Sequence, residues 1–267
     1  MSTTNHRTWQ PHHIGHLFVT FQLEPPAEGL CVGRHPGLAA LTVRLITLTN
    51  THRVPATWAV NDPAHSAATP TILRSETPHE LAILGDANWL GPTAGRTRFA
   101  HELARRVLQS RAAGLNVTTI VPRVASVQQD IDLIVKHRIS AVVGIEVPLH
   151  TGQHLAIPRA LHYGVWEMPI SGKHPMRSSW LWSAGRILWR QIRRAASDAS
   201  TFHLVVDVPA VEEEGDRAEH SITWLMRRVA EMRDRGMLQI ETLASAAARL
   251  SDVPTALPQR SILRSAA

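Results

Sequence analysis

The residues with which this chain could do chemistry stand at, or just past, the ends of short apolar runs: Glu24, Asp86, Arg123, Glu146, Glu167 and Asp207. Gln22, Asn61, Asp62 and Asn88 occupy similar places. Paired carboxylates can work as general acid and base, or hold a hard cation through oxygen. An arginine fork among them suits a phosphate or carboxylate. Asn61, Asp62, Trp89 and Trp166 are the candidate substrate contacts, and Trp180 offers another flat surface for a sugar ring. Each type also has a plainer use. Asp62 and Asp86 suit turns or helix caps, polar strand ends solvate an edge, and large aromatics pack in cores.

Other templates are weaker. His12, His13 and His16 are spaced closely enough to catch a metal, but they precede the first strand and belong to no closed ligand set. His150, His154, His162 and His174 fall in a long irregular region, 147 to 182, which reads as a lid or substrate-binding loop. The single Cys31 excludes an internal disulfide and has no flanking nucleophile motif. There is no G-x-S-x-G elbow, phosphate-binding glycine loop or G-x-G-x-x-G after a strand.

Short apolar runs alternate with amphipathic segments, the pattern of β/α repeats around a parallel sheet or barrel. Strands are predicted near 17–23, 56–60, 80–84, 117–121, 141–145, 164–168 and 203–207. Helices are predicted near 36–50, 97–113, 127–137, 183–198 and 217–235. Ile222, Leu225, Met226, Val229 and Met232 recur at helical spacing and give the last helix one buried face. Parallel barrels carry their chemistry at the carboxyl ends of the strands, which is where the polar residues above fall. Glu24 shares a strand face with Thr20 and Gln22 by period-two alternation, although Pro25 and Pro26 follow it.

The 267 residues suit one large domain, and a 44% hydrophobic content can fill its core. No apolar run is long enough to span a membrane, and the polar start, Met1 to His13, is unlike a signal peptide, so a cytoplasmic location is the expectation. Lys and Arg exceed Asp and Glu by 28 to 22, almost wholly through arginine. These arginines are spread over several helices with no nucleic-acid motif, which reads as a solvated basic surface or weak attraction to acidic polymers.

Four segments, in order, carry a family resemblance. His16-Leu-Phe-Val-Thr-Phe-Gln-Leu-Glu24 resembles the first strand of the polysaccharide deacetylase family (NodB-homology, carbohydrate esterase family 4), V-x-L-T-F-D-D-G. His52-Arg-Val-Pro-Ala-Thr-Trp-Ala-Val60 resembles its second strand, L-x-x-x-G-V-x-A-T-F-F-V. Pro78-His-Glu-Leu-Ala-Ile-Leu-Gly-Asp-Ala-Asn-Trp89 is similar to G-H-E-I-G-x-H-T-x-x-H, and Arg235 to Leu243 looks like its closing strand and helix start. The resemblance implies an α/β fold, an irregular (β/α)7 barrel over 16–250, with an irregular arm over 1–15 and a mobile tail over 251–267.

It also implies positions for chemistry that this sequence has changed. The catalytic base falls on Gln22, and the three metal ligands fall on Leu23, Leu84 and Asn88, none of which suits zinc or a similar ion. No cofactor or divalent metal is therefore expected. Arg123 falls near the arginine that orients the missing base, and Asp207 near the family's catalytic histidine. Three readings follow: a degenerate deacetylase-like barrel that binds carbohydrate or a protein partner in polysaccharide or cell-envelope metabolism; an active hydrolase with a carboxylate site rebuilt at the rim; and a basic interaction module on an inert barrel.

Overall fold

Strands that are covered on both faces need apolar residues at nearly every position, and the first strand, Gly15–Gln22, is such a run, with Leu17, Phe18, Val19 and Phe21 all fully buried. The computed structural model describes residues 14–24, 36–91, 94–123, 127–146, 157–175 and 181–252. Its elements are β1 (Gly15–Gln22), α1 (Leu38–Thr51), β2 (Thr57–Val60), α2 (Thr69–Leu73), β3 (Glu80–Gly85), α3 (Gly95–Ala112), β4 (Thr119–Pro122), α4 (Ile131–Lys136) and β5 (Ala141–Glu146). They continue as β6 (Arg159–Ala160), β7 (Trp166–Ile170), β8 (Gly172–His174), α5 (Leu181–Ser197), β9 (Thr201–Asp207), α6 (Val208–Glu214), α7 (Asp216–Asp234), β10 (Leu238–Glu241) and α8 (Leu243–Asp252).

The strands form one curled sheet in the order β6-β7-β5-β4-β3-β2-β1-β9-β8, with β10 beside the lower half of β1. Every pair is parallel except β6 with β7. Residues 166–174 form one run that switches neighbours at Ser171: β7 pairs with β5 and β8 pairs with β9. The two ends of the sheet thus meet through that run, and the result is the irregular barrel of seven main strands that the sequence implied. Among the described residues no helix is long and apolar enough to cross a membrane.

Period-two alternation sorts the strand residues into two cores. Leu17, Val19, Phe21, Trp58 and Val60 face the helices, where Phe21 and Trp58 stack at 4.3 Å. The predicted stripe Ile222, Leu225, Met226, Val229 and Met232 of α7 packs into the same cluster. Phe18, Ala59, Ala82, Leu84, Val121, Val143, Met168 and Val205 fill the barrel interior, with Leu243, Ala246 and Ala247 of α8 packed among them.

Several boundaries differ from expectation by a few residues. The strand expected at 164–168 lies at 166–170, because Tyr163 (φ 60°) and Gly164 (φ 78°) turn left-handed and use those residues to reverse the chain. Trp166 and Glu167 consequently open β7 beside Ala141 and Val142, at the amino end of the barrel and away from the carboxyl rim. Gly15 already belongs to β1, and Ser251 and Asp252 still belong to α8; the rest of the expected arm and tail, 1–13 and 253–267, lies outside the described residues. The short α2 and α6 had no periodic signal long enough to read.

The amino end holds a buried carboxyl that the sequence did not single out. Glu80 Oε2 accepts from Thr57 Oγ1 at 2.8 Å and from Ala244 N at 3.0 Å, tying α8 to β2 and β3. Burial raises its pKa, against the lowering effect of these hydrogen bonds. A folded pKa above the unfolded value gives stability that is present below the unfolded pKa and is lost as pH rises through the folded one. Glu80→Gln, which keeps an acceptor, is expected to stabilise the fold at pH 8 and to flatten that dependence. Glu80→Ala strands two donors and costs about 1–3 kcal/mol; urea unfolding at pH 5 and pH 8 reads both.

Candidate functional site

At the carboxyl end the interior alternation brings polar residues to one mouth. Gln22 on β1 lies beside Asp207 on β9, and Glu24, two residues beyond, lies next to Asn61 past β2. Asp86 and Arg123 follow β3 and β4, where Arg123 N donates to Gly85 O at 2.9 Å. The barrel therefore assembles Gln22, Glu24, Asn61, Asp86, Arg123 and Asp207, drawn from five strands.

Arg123 organises this mouth. Its side chain is only 8% exposed, its Nη2 donates to the backbone carbonyl of Glu24, and its Nη1 lies 3.5 Å from Asp207 Oδ2. Burial lowers its pKa, while Asp207, Glu24 and Asp86 all favour its charged form; a guanidinium stays protonated under such conditions. Glu24 Oε2 accepts from Asn61 N at 3.0 Å. Burial lifts the Glu24 carboxyl to about 7, despite that hydrogen bond and the nearby Arg123. A carboxyl poised near neutrality can give or take a proton. Asp207 caps α6, with Ala210 N 3.5 Å from its Oδ1, and Asp86 Oδ1 accepts from Asn88 N at 2.8 Å.

Among the described residues, two polar atoms at the mouth are buried without a protein partner: Asn61 Oδ1 and Arg123 Nε. Buried polar atoms are rarely left unmatched, so these are points where a bound molecule or water would attach.

Several candidates lie elsewhere. Asp62 turns toward α3, pairing with Arg105 Nη1 at 3.0 Å and His65 at 3.2 Å, and acts as the turn former its sequence also allowed. Trp89 is 2% exposed, stacks on Phe99 at 5.9 Å and lies 4.4 Å from the Arg106 guanidinium, so it is a core residue and no sugar platform. Trp166 donates to Ser251 Oγ at 2.9 Å near α8, and Glu167 pairs with Arg159, both at the amino end. Neither reaches the mouth. His16 pairs with Glu241 at 2.8 Å at that same end. The side chain of Glu146, and His12, His13, Cys31, His150, His154 and Trp180, lie outside the described residues.

The positions aligned with a family metal site bring no ligands together. Leu23 packs with the helix-facing core, Leu84 fills the barrel interior and Asn88 is exposed in the turn after β3. Among the described residues no three His, Cys, Asp or Glu side chains converge on one point. In the mouth the Arg123 guanidinium stands among the carboxylates and supplies the positive charge. This donor set does not fit a catalytic zinc or similar ion.

Beneath the mouth is a pair the sequence reading passed over. Thr20 Oγ1 lies 2.9 Å from His203 Nε2, and His203 Nδ1 lies 3.3 Å from Met168 O. The carbonyl requires Nδ1 to carry the proton, so Nε2 accepts from Thr20. Burial holds His203 down to about 4 and it is neutral. The available signal was the placing of Thr20 and His203 on the same period-two face as Gln22 and Asp207.

No family model and no curated protein matches this sequence. Solved structures do match its fold. A protein from Mycobacterium smegmatis described as a polysaccharide deacetylase superposes with a TM-score of 0.65 at 15% identity, covering 90% of this chain and 91% of that one. Another so described, from Pseudomonas aeruginosa PAO1, gives 0.62 at 10% identity over 88% and 90%. The 4-alpha-glucanotransferase of Thermococcus litoralis also gives 0.62, at 11% identity, over 88% of this chain and 40% of its own. The chain has the barrel fold of the polysaccharide deacetylases.

Proposed function

We propose that the mouth of this barrel binds saccharide, in polysaccharide or cell-envelope metabolism, without metal-dependent deacetylation. The observation that carries the reading is Arg123, a buried guanidinium held by the Glu24 carbonyl and beside Asp207. It fixes the mouth and takes the place of a metal's charge. Around it Asn61, Asp86 and Gln22 supply acceptors and donors suited to sugar hydroxyls, and Asn61 Oδ1 meets no donor among the described residues. The deacetylase and glucanotransferase neighbours support a sugar ligand by analogy of fold alone.

Calorimetric titration with chitotetraose and cellotetraose tests this. Binding is expected for at least one of them, weakened about fivefold by Asn61→Ala, since one lost hydrogen bond is worth about 1 kcal/mol. Failure of both sugars to bind, or indifference to Asn61→Ala, would contradict it.

Glu24 favours a second reading, a rebuilt hydrolytic site, because a carboxyl lifted to about 7 by burial is a usable acid or base. That reading expects acetate or reducing ends to be released from the same sugars, with a rate that titrates near pH 7 and disappears in Glu24→Gln.

A further inference from the structure

Outside the mouth, α5 and α7 approach closely where residue 185 is glycine: a Cβ there would lie 2.6 Å from Ser221 Oγ. Against that contact lies a cavity of about 560 Å³ lined, among the described residues, by Arg186, Asp216, Arg217, His220, Ser221 and Trp224. Its size is within the range of small-molecule sites, about 300–1,000 Å³.

The wall is mostly apolar surface, with a small share contributed by polar atoms. Arg186 and Arg217 are exposed, and among the described residues neither forms an ion pair or side-chain hydrogen bond. Arg190, Arg193 and Arg194 continue from Arg186 along the exposed face of α5, so the local field favours anions. Trp224 is held edge-on by Trp189 at 6.1 Å and provides a broad apolar wall. His220 Nδ1 is 2.6 Å from Asp216 O, which makes it the protonated nitrogen and leaves Nε2 as an acceptor. Ser221 Oγ is steadied by His174 Nε2 at 3.2 Å.

We propose that this cavity binds a small ring-bearing anion, a sugar-sized ring carrying one phosphate or carboxylate. Arg186 and Arg217 take the anionic group, for which the guanidinium fork is suited. Trp224 covers the ring, and Asp216 and His220 Nε2 accept from its hydroxyls. The cavity shares no residue with the mouth, so the two assignments stand or fall separately.

Calorimetric titration of the full chain with glucose 6-phosphate, glucuronate, glucose and inorganic phosphate is the test. Glucose 6-phosphate or glucuronate is expected to bind at least tenfold more tightly than glucose and inorganic phosphate, and which of the two wins identifies the anionic group. Arg186→Ala with Arg217→Ala should weaken that binding by tenfold or more, with the circular dichroism spectrum unchanged because both side chains are exposed. Trp224→Leu should weaken the ring-bearing anion while leaving inorganic phosphate unaffected. Absence of binding by both anions, binding of glucose or inorganic phosphate as tightly, or binding unchanged in the double variant would overturn the proposal. If the double variant loses its fold, Gly185→Ala, whose methyl displaces Ser221 Oγ in the cavity wall, must alter the anion's affinity or the proposal fails.

Discussion

Arg123→Ala is expected to cost about 1–3 kcal/mol of stability, the range for leaving a buried hydrogen-bonding group unmatched, since Asp207 is itself partly exposed to water, and to abolish saccharide binding at the mouth. The argument is local. The guanidinium spans from β4 across to the residue following β1 and to the end of β9, satisfying the Glu24 carbonyl and balancing Asp207. Its loss leaves that carbonyl unmatched and three carboxyls, Glu24, Asp86 and Asp207, without their shared cation. Arg123→Lys keeps the charge but not the fork, so one ammonium cannot serve both partners and an intermediate loss is expected. Urea unfolding together with oligosaccharide titration of the two variants gives the order wild type, Lys, Ala in both measurements.

Acid is expected to unfold this protein at a pH where most carboxylates are still ionised. His79, His174 and His203 are each held at about 4 by burial. Their hydrogen-bond partners are neutral: Asn50 Oδ1 and Ala56 N for His79, Ser221 for His174, and Thr20 and Met168 O for His203. A histidine whose folded pKa lies below the unfolded value near 6.5 binds more protons when unfolded. Stability is therefore full above about pH 6.5 and falls as pH drops toward 4. The fully buried His203 alone accounts for about 3 kcal/mol, and the more exposed His79 for less. Urea unfolding from pH 7 to pH 4 should show a steep decline, and His203→Gln, which keeps a donor and an acceptor, should make it shallower.

The strand pattern was legible because barrel strands covered on both faces leave an unmistakable apolar run, and the α7 stripe because 3.6-residue spacing survives over 19 residues. Gln22, Glu24, Asn61, Asp86, Arg123 and Asp207 were readable as rim residues from strand ends and alternation alone. Glu167 and Trp166 were misplaced for a physical reason: a left-handed turn at Tyr163 and Gly164 moved the strand start, and that reversed which end they occupy. Trp89 and Asp62 failed because type alone does not say what a side chain meets; Phe99 and Arg106 claim the one, Arg105 the other. Nothing in the sequence announced the cavity at Arg186 and Arg217, since it depends on two helices that approach at Gly185.

The central claim is that the mouth works with Arg123 where a metal would otherwise be needed. Titration of chitotetraose into the protein, once in excess EDTA and once with equimolar zinc, tests it most directly. The same affinity in both, with no acetate released in either, is the predicted result. Binding or acetate release that appears only with zinc would contradict the account.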